Sequence, residues 1–398
     1  MEEFMSKKII KTYVAFSFTL SLSHAFFYAT YQLFLAERGL NLLEINIINM
    51  FFMAGVFLLE VPTGAFADVF GRKKSVVLGC FMMALSMLAY YVGQGFWSFA
   101  VAELIAAVGL TFLSGALEAW VVDALAFHGH DGELSHVFRR EVYASQFGVI
   151  FGSLFGGFLG QHDLALPWLA SAVATSAVGI FAIFALQEQQ IKRVSFRFSF
   201  APFRKTIADS VRFGYQKKSV WFVVLFGMLL AISVQAMNMQ WPFIFQKTYG
   251  FSTTNLGWLF AVVSMVTMLG GQLSKLFADK IRHEKNAIVL SQGITVVGIF
   301  GASMMLGIVP VVGFFLLHEM GRGIIGPLKQ AYLNHRIPSE QRATILSFDS
   351  MIGKSGAFLG LAGSGFLAQH FGIPNTWFVS GCILTLGVVV FFNLKNGD

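Results

Sequence analysis

The sequence predicts an all-α membrane protein of twelve transmembrane helices, arranged as two six-helix bundles related by pseudo-twofold symmetry. Composition is the first reason: 56% of the 398 residues are hydrophobic and only 12% are charged, a balance typical of membrane proteins. The second reason is a series of apolar runs, each close to the ~20 residues that a helix needs to cross a bilayer. The third reason is an internal repeat that relates the two halves of the chain.

Turn signals divide the apolar runs into twelve candidate spans. Because backbone polar groups must be satisfied inside lipid, each run is expected to be a helix. An even number of spans places both termini on the same side of the membrane. The predicted spans are residues 12–35, 44–68, 75–93, 97–126, 138–160, 165–186, 219–245, 253–277, 287–307, 310–333, 343–368 and 374–394.

The distribution of Lys and Arg predicts the orientation. Loops on the side of the termini carry nearly all of the cations outside the spans, whereas the opposite loops carry Arg38 and Lys247. Because cytoplasmic loops are enriched in Lys and Arg, both termini are expected in the cytoplasm. The expected membrane is the plasma or inner membrane of the cell. We expect no cleavable signal peptide, since the first apolar run is too long for one. The net charge of +7 therefore reflects topology and lipid contact, not nucleic-acid binding.

One long loop divides the chain into domains. The expected organisation is an N-terminal six-helix bundle at 1–186, a cytoplasmic central loop at 187–218 and a C-terminal six-helix bundle at 219–398. The loop mixes phenylalanines with cations, which predicts an interfacial amphipathic segment against anionic lipid.

The two halves repeat in sequence. Gly157–His162 recurs as Gly365–His370, an offset of 208 residues (157 to 365), and Phe66–Asp68 recurs as Phe277–Asp279, an offset of 211 (66 to 277). Such long registers without gaps are hard to obtain by chance. With six spans in each half the repeat keeps its orientation, so the symmetry axis is expected to run along the membrane normal.

The basic turn between the second and third predicted spans carries the most informative motif. Its residues Gly64, Asp68, Gly71, Arg72 and Lys73 fit the pattern Gly-x-x-x-Asp-x-x-Gly-Arg-Lys. The chain resembles the major facilitator superfamily, whose signature loop has this pattern between helices 2 and 3. The resemblance covers the whole chain, and it implies a secondary transporter that exposes a midplane cavity to one side of the membrane at a time.

The resemblance also implies a gating role for the loop. In the family the matching Asp meets the cytoplasmic start of helix 11 and the loop cations, so Asp68 is expected to act as a conformational latch. An anion at a helix C-terminus is unfavourably placed and needs a cation partner, for which Arg72 is available. Plain anchoring of the loop to the surface is the alternative. The second half keeps the acid as Asp279 but has His283 and Glu284 in place of the cations.

Glycines clear one face of the fifth predicted span so that another backbone can approach. Four are spaced by four residues and a fifth lies beside them: Gly148, Gly152, Gly156, Gly160 and Gly157. Exporters of the drug:proton antiporter type often carry a Gly-rich helix 5 that ends in Gly-Pro-x-x-Gly-Gly. This chain has the glycines but neither that proline nor the basic residue that such exporters carry on helix 4. Tight packing of helix 5 on helix 8 is expected in either case.

Ionisable residues inside apolar spans are costly to bury, so each is a candidate functional residue. A carboxylate in a medium of low dielectric constant can carry a proton at physiological pH. The proton-coupling candidates are Glu60, Glu103, His24 and Glu118. His24 is also consistent with a satisfied interior histidine.

Polar residues on helices 1, 7, 10 and 11 predict the lining of a substrate cavity. The set comprises His24, Tyr28, Tyr31, Gln32, Gln235, Asn238, Trp241, Glu319, Arg322 and Lys354. Within it, His24 on helix 1 and Gln235 on helix 7 are counterparts in the repeat. Glu319 and Arg322 share one helical face and are also consistent with a purely structural pair.

Motifs for other chemistry are absent from the sequence. It has no Walker loop, no His-Glu-x-x-His spacing and no nucleophile elbow, so we expect no enzyme, no cofactor and no metal site. The expected function is proton-coupled secondary transport by a monomer, with export of small amphiphilic or drug-like compounds. Proton-coupled uptake of a polar or anionic nutrient is the alternative, and a non-transporting membrane receptor is a remote third possibility.

Overall fold

The computed structural model describes residues 2–130, 132–188 and 218–393. The first half contains α1 (Glu2–Ala25), α2 (Tyr31–Glu37), α3 (Leu42–Phe70), α4 (Arg72–Val92), α5 (Gly95–Leu113), α6 (Ala116–Phe127), α7 (Leu134–His162) and α8 (Leu166–Ala185). The second half contains α9 (Lys218–Phe243), a π-helical turn (Ile244–Thr248), α10 (Thr253–Lys280), α11 (Glu284–Ser303), α12 (Ile308–Arg336), α13 (Ser339–Phe371) and α14 (Ile373–Phe392). Most of the predicted central loop, 187–218, lies outside the described residues, so the amphipathic segment expected there stays a prediction.

The predicted all-α membrane fold is confirmed. Within the described residues, ten helices are long and apolar enough to cross a membrane by length and composition. The predicted spans 12–35 and 343–368 are mostly helical, but their helices are not apolar enough to be counted among these ten. A turn interrupts the first of them, and α13 carries Asp349 and Lys354 within its length.

Three predicted spans are not single regular α-helices, which corrects the expected boundaries. The span 12–35 ends as α1 at Ala25, passes through a turn at 26–30 and resumes as α2. The span 97–126 divides between α5 and α6, where Gly115 adopts φ 72°, a backbone conformation that favours glycine. The span 219–245 passes through Pro242 into the π-helical turn, because proline lacks the N–H that the α-helical ladder needs.

The chain packs as two compact units. Unit 1 comprises Met1–Leu40, Phe51–Phe198 and Phe245–Ser264, and unit 2 comprises Asn41–Met50, Ser199–Ile244 and Met265–Asp398. Unit 1 therefore includes the start of α10, and unit 2 includes the start of α3.

In unit 1 the glycines of α7 approach other backbones closely. A Cβ atom placed on Gly148, Gly152 or Gly156 would collide with backbone carbonyl oxygens of the chain between Phe18 and Phe26, in α1 and the turn after it. A Cβ atom on Gly157 would lie 2.7 Å from the Thr253 carbonyl oxygen at the start of α10. The glycine-rich face thus meets both the first span and the helix that corresponds to helix 8, whereas the sequence predicted helix 8 as the packing partner.

In unit 2 the repeat reproduces this close packing. Gly356 and Gly360 of α13 are the counterparts of Gly148 and Gly152 at the 208-residue offset. Their added Cβ atoms would lie 2.6 Å and 2.5 Å from carbonyl oxygens of α9. Since α9 corresponds to α1 in the repeat, the same helix pair packs through small residues in each unit.

Candidate functional site

The signature turn forms a compact charged cluster at one end of unit 1. The chain leaves α3 at Phe70 and enters α4 at Arg72, with Gly71 between them at φ 107°. Arg72 Nη1 lies 2.6 Å from Asp68 Oδ1, and Arg72 Nε lies 3.8 Å from Asp123 Oδ2. The cation that the sequence offered as the partner of Asp68 therefore contacts it, and Asp123 of α6 joins the cluster.

Glu188, which sequence reasoning did not single out, completes this cluster. The backbone N–H groups of Arg72 and Lys73 donate to its two carboxylate oxygens, each at 3.0 Å. An anion at a helix N-terminus is favoured by the helix dipole and by the N–H groups left unpaired there. A Cβ atom on Gly71 would lie 2.5 Å from Glu188 Oε2, so a side chain at this position would displace the Glu188 carboxylate, while the φ angle of Gly71 by itself favours glycine.

The other residues of the predicted motif are less engaged. Gly64 has open space where a Cβ atom would stand. Asp279, the repeated acid at the end of α10, makes no ion pair within the described ranges. An ion pair near this end of α10 is formed by the next helix, where Glu284 Oε2 lies 2.5 Å from Arg336 Nη1.

Glu103 of α5 is a buried carboxylate with two phenol partners. Tyr31 of α2 donates its hydroxyl to Glu103 Oε1 at 2.8 Å, and Tyr90 of α4 donates to the same oxygen at 2.6 Å. No Lys or Arg of the described residues forms a salt bridge with this carboxylate. Stacked rings adjoin it, with Trp168 4.0 Å from Tyr90 and 4.1 Å from Phe27 between ring centroids.

The interruption of the first span positions Tyr31 for this contact. The turn at 26–30 follows α1, and α2 starts at Tyr31. A side chain at Gly156 of α7 would collide with the Phe26 carbonyl group in that turn. The glycine therefore lets α7 pass close to the interrupted backbone, and the redirected helix brings the Tyr31 phenol to Glu103.

The remaining proton-coupling candidates are placed differently. Glu60 and Glu118 are exposed on α3 and α6. His24, near the end of α1, has its Nε2 atom buried without a hydrogen-bond partner. Of the three predicted carboxylates, only Glu103 is buried.

Four predicted cavity residues lie in unit 1 around the interrupted span. His24 lies near the end of α1, Tyr28 lies in the turn at 26–30, and Tyr31 and Gln32 begin α2. Tyr28 meets Phe260 of α10 in an edge-on contact with ring centroids 5.9 Å apart. Gln32 is buried.

Unit 2 holds a second buried polar cluster on α12 and α9. Arg322 Nη1 donates to Asn238 Oδ1 at 2.7 Å and to the two Glu319 carboxylate oxygens at 3.0 Å and 3.1 Å. Only 7% of the Glu319 side chain is exposed, compared with 30% of Arg322. These three predicted cavity residues are therefore brought together.

His318 belongs to this cluster and was missed by sequence reasoning. Its Nδ1 atom lies 3.1 Å from Glu319 Oε1, and its ring is fully buried. The available signal was an ionisable residue inside an apolar span. Adjacent positions on a helix do not normally face each other, so the spacing gave no reason to expect the contact.

The other predicted cavity residues of unit 2 surround this cluster less closely. Trp241 is buried and stacks on Phe315 with ring centroids 5.8 Å apart. Gln235 is half-buried on α9, and Lys354 is half-buried on α13. An additional ion pair joins Lys329 Nζ to Asp349 Oδ1 at 2.7 Å. In the part of the chain that the structure describes, no group of three or more His, Cys, Asp or Glu side chains could hold a metal ion.

Comparison with known proteins gives consistent matches over the whole chain. The chain is 23% identical over 397 residues to the uncharacterized MFS-type transporter YxaM of Bacillus subtilis (strain 168), a match that covers 97% of this chain and 96% of that protein. It is 23% identical over 345 residues to multidrug resistance protein 2 of the same organism, covering 84% of this chain and 82% of that protein.

Solved structures and a family model complete the comparison. The crystal structure of the nucleoside transporter NupG superposes with a TM-score of 0.81 at 13% identity, covering 97% of this chain and 100% of that chain. That likeness shows the fold. The family model described as Major Facilitator Superfamily matches residues 13–361 and 229–397. This multi-pass membrane protein therefore belongs to the major facilitator superfamily of transporters.

Proposed function

We propose that the protein is a proton-coupled secondary active transporter of the plasma or inner membrane that exports small amphiphilic or drug-like compounds. It alternates access between the two sides of the membrane, works as a monomer and keeps both termini in the cytoplasm. The observation that carries the proposal is the geometry of Glu103, a buried carboxylate held by two phenol hydroxyls.

A proton-coupled transporter needs an interior group that gains and loses a proton as access alternates. The ionised Glu103 carboxylate accepts hydrogen bonds from Tyr31 and Tyr90. The protonated carboxyl group has one O–H donor, and a phenol oxygen can also accept a hydrogen bond. Both protonation states can therefore be satisfied by rotation of hydroxyl groups, without movement of a charged side chain.

The rings around Glu103 support the same role. Trp168 and Tyr90 are almost completely buried and stack on each other. Because this packed surface leaves little room for water beside the carboxylate, proton exchange depends on the opening of the site. Coupled transport requires a group that exchanges its proton only while the site is open to one side of the membrane.

Export of amphiphilic compounds is supported by the relatives. Multidrug resistance protein 2 of Bacillus subtilis matches 84% of this chain. A second match, at 24% identity over 309 residues, is the tetracycline resistance protein, class H, of Pasteurella multocida. We therefore assign export to this chain as the preferred direction.

Proteoliposomes with an imposed pH gradient test the proposal. A fluorescent amphiphilic compound should accumulate against the proton flow, and Glu103→Gln should remove gradient-driven accumulation while exchange of the compound across the membrane persists. Glu118→Gln, which changes an exposed carboxylate, is the matched control. Accumulation that survives in Glu103→Gln would remove Glu103 from this role. Absence of movement of every compound would favour the receptor interpretation.

One observation favours the alternative of proton-coupled uptake of a polar or anionic nutrient. Arg322 and Asn238 present polar groups side by side in unit 2, an arrangement suited to a hydrogen-bonding solute. Movement of a polar solute together with protons in the same liposomes would establish this symport direction instead of export.

A further inference from the structure

Arg322 is only partly used by the protein itself. All of its hydrogen bonds within the described residues leave from Nη1, and 30% of its side chain is exposed. Its Nε and Nη2 groups donate to no described residue. A guanidinium group offers five N–H donors in a planar fork that matches an oxyanion through two parallel hydrogen bonds. Arg322 therefore retains the geometry for a further anion.

The contact between Glu319 and Arg322 is not of this matched kind. Both carboxylate oxygens of Glu319 converge on a single nitrogen, at 3.0 Å and 3.1 Å. The two parallel bonds of a fork-to-fork pair, which make Arg–carboxylate contacts strong, do not form. A free oxyanion approaching the guanidinium can adopt the better geometry.

Glu319 has a second partner that remains when Arg322 is engaged elsewhere. His318 Nδ1 lies 3.1 Å from Glu319 Oε1. The His318 ring is fully buried, and its Nε2 atom has no hydrogen-bond partner. A buried carboxylate that loses its cation is strongly destabilised if nothing else satisfies it, and the imidazole supplies a donor for that state.

Aromatic rings pack behind the cluster. Trp241 stacks on Phe315, and Phe315 stacks on His318 with ring centroids 6.4 Å apart. These rings are almost completely buried, so they hold the cluster in place and are not themselves an open binding surface. Asn238, on the same helix as Trp241, lies 2.7 Å from Arg322 Nη1. The apolar body of the solute therefore follows from the proposed export of amphiphiles, and the cluster adds the oxyanion.

We propose that Arg322 is the receptor for the oxyanion of a transported amphiphile and that Glu319 is its built-in competitor. When no solute is bound, Glu319 neutralises the guanidinium, so the empty protein carries no uncompensated charge at this pair. When the solute arrives, it takes the two-nitrogen pairing and Glu319 turns to His318. This inference deepens the proposed function, because it names the class of amphiphile that is transported.

Binding to the purified full chain tests the inference without any gradient. The probes are naphthoate, naphthamide and naphthylmethylamine, which share an aromatic body and differ in charge. Isothermal titration calorimetry should detect binding of naphthoate to the wild type, and the amide and the amine should bind at least ~10-fold more weakly.

Two substitutions should change naphthoate affinity in opposite directions. Arg322→Gln should weaken binding at least ~10-fold because the receptor is lost, whereas Glu319→Gln should tighten it by about 10-fold because the competing charge is lost. If Glu319 only positioned Arg322, Glu319→Gln would weaken binding as Arg322→Gln does, and the inference would be overturned. Unchanged binding in Arg322→Gln would overturn it as well.

A double variant guards against misfolding. Arg322→Gln leaves a buried carboxylate beside no cation, so it risks loss of the fold. The double substitution Glu319→Gln with Arg322→Gln replaces both charges by neutral amides, and it should fold without any preference for naphthoate over naphthamide. A retained preference in the folded double variant would place the anion receptor elsewhere.

The outcomes separate this inference from the proposed function. If naphthoate binds as expected but no amphiphile moves under a pH gradient, proton-coupled export is wrong and the anion receptor stands. If neutral and cationic amphiphiles are exported while naphthoate does not bind, the anion receptor is wrong and export stands.

Discussion

Glu103 in unit 1 and Glu319 in unit 2 are both buried carboxylates on apolar helices, yet different groups stabilise them. Two neutral phenol hydroxyls contact Glu103, whereas a guanidinium and an imidazole contact Glu319. Neutral donors are compatible with a proton that comes and goes, while an ion pair favours a fixed pair of charges. The proposed function accordingly gives Glu103 a charge that changes during transport and leaves Glu319 with a charge that does not.

The internal repeat does not extend to these charges. At the 211-residue offset the counterpart of Glu103 is Phe314, and the counterpart of Arg322 is Thr111. The repeat therefore preserves the packing of small residues, since Gly148 and its counterpart Gly356 each lie against a backbone in their own half. The interior polar groups differ between the halves. Two units with one architecture can in this way hold different chemistry.

The largest expected effect separates the two carboxylates by proton coupling. Glu103→Gln should reduce gradient-driven transport by at least ~100-fold, in the range seen when a proton-transfer group is removed. Glu319→Gln should keep proton movement linked to solute movement. A pH-sensitive dye inside proteoliposomes measures both variants. Equal loss of proton coupling in the two variants would contradict the assignment of proton coupling to Glu103 alone.

The next effect concerns stability in unit 2. Arg322→Gln should lower the free energy of unfolding by roughly 2–3 kcal/mol, because it leaves Glu319 buried without its cation while Arg322 itself is partly exposed. The double substitution with Glu319→Gln should recover most of that loss. Thermal unfolding of the purified variants in one detergent measures the difference. A double variant as unstable as the single one would show that the charges do not act as a pair.

A smaller effect compares the two copies of the signature acid. If the signature turn acts as the expected latch, Asp68→Asn should slow transport by about 10-fold with folding intact, because it removes a charge partner of Arg72. Asp279→Asn is the matched control and should leave the rate nearly unchanged, since Asp279 makes no ion pair within the described residues. Initial rates in proteoliposomes decide the comparison. Equal rates for Asp68→Asn and the wild type would remove the latch.

The smallest effect concerns the anchor at the start of α4. Glu188→Ala should lower the free energy of unfolding by about 1 kcal/mol, because two N–H groups at the helix N-terminus lose a charged acceptor. Glu188→Gln should lose less, since an amide oxygen still accepts one bond. Thermal unfolding of both variants gives the order. Greater destabilisation by glutamine than by alanine would contradict the anchor.

The sequence was sufficient for the fold class because that class depends on gross properties. Apolar runs of bilayer length and a repeat such as Gly157–His162 against Gly365–His370 do not depend on contact details. The interruption of the first span was not predictable in this way. Residues 26–30 contain neither glycine nor proline, and the structure associates the turn with the close passage of Gly156 against Phe26.

In the candidate site, too, some contacts follow from local spacing in the sequence and others do not. The pair of Glu319 and Arg322 follows from helical spacing, which places residues three apart on one face. The partners of Glu103 come from α2 and α4, and no spacing in the sequence links Tyr31 or Tyr90 to that acid. Glu188 is 116 residues from Arg72 along the chain. Contacts of this kind depend on how the helices pack, which a single sequence does not encode in local pattern.

The anchor of α4 by Glu188 has a consequence for the connection between the two halves. Glu188 lies at the start of the predicted central loop, two residues beyond the N-terminal bundle, and it accepts two hydrogen bonds from the first turn of α4. The first residues of the loop are therefore tied to the helix that the signature turn begins. Proteolytic cleavage of the loop after Glu188 would leave both of these hydrogen bonds in place.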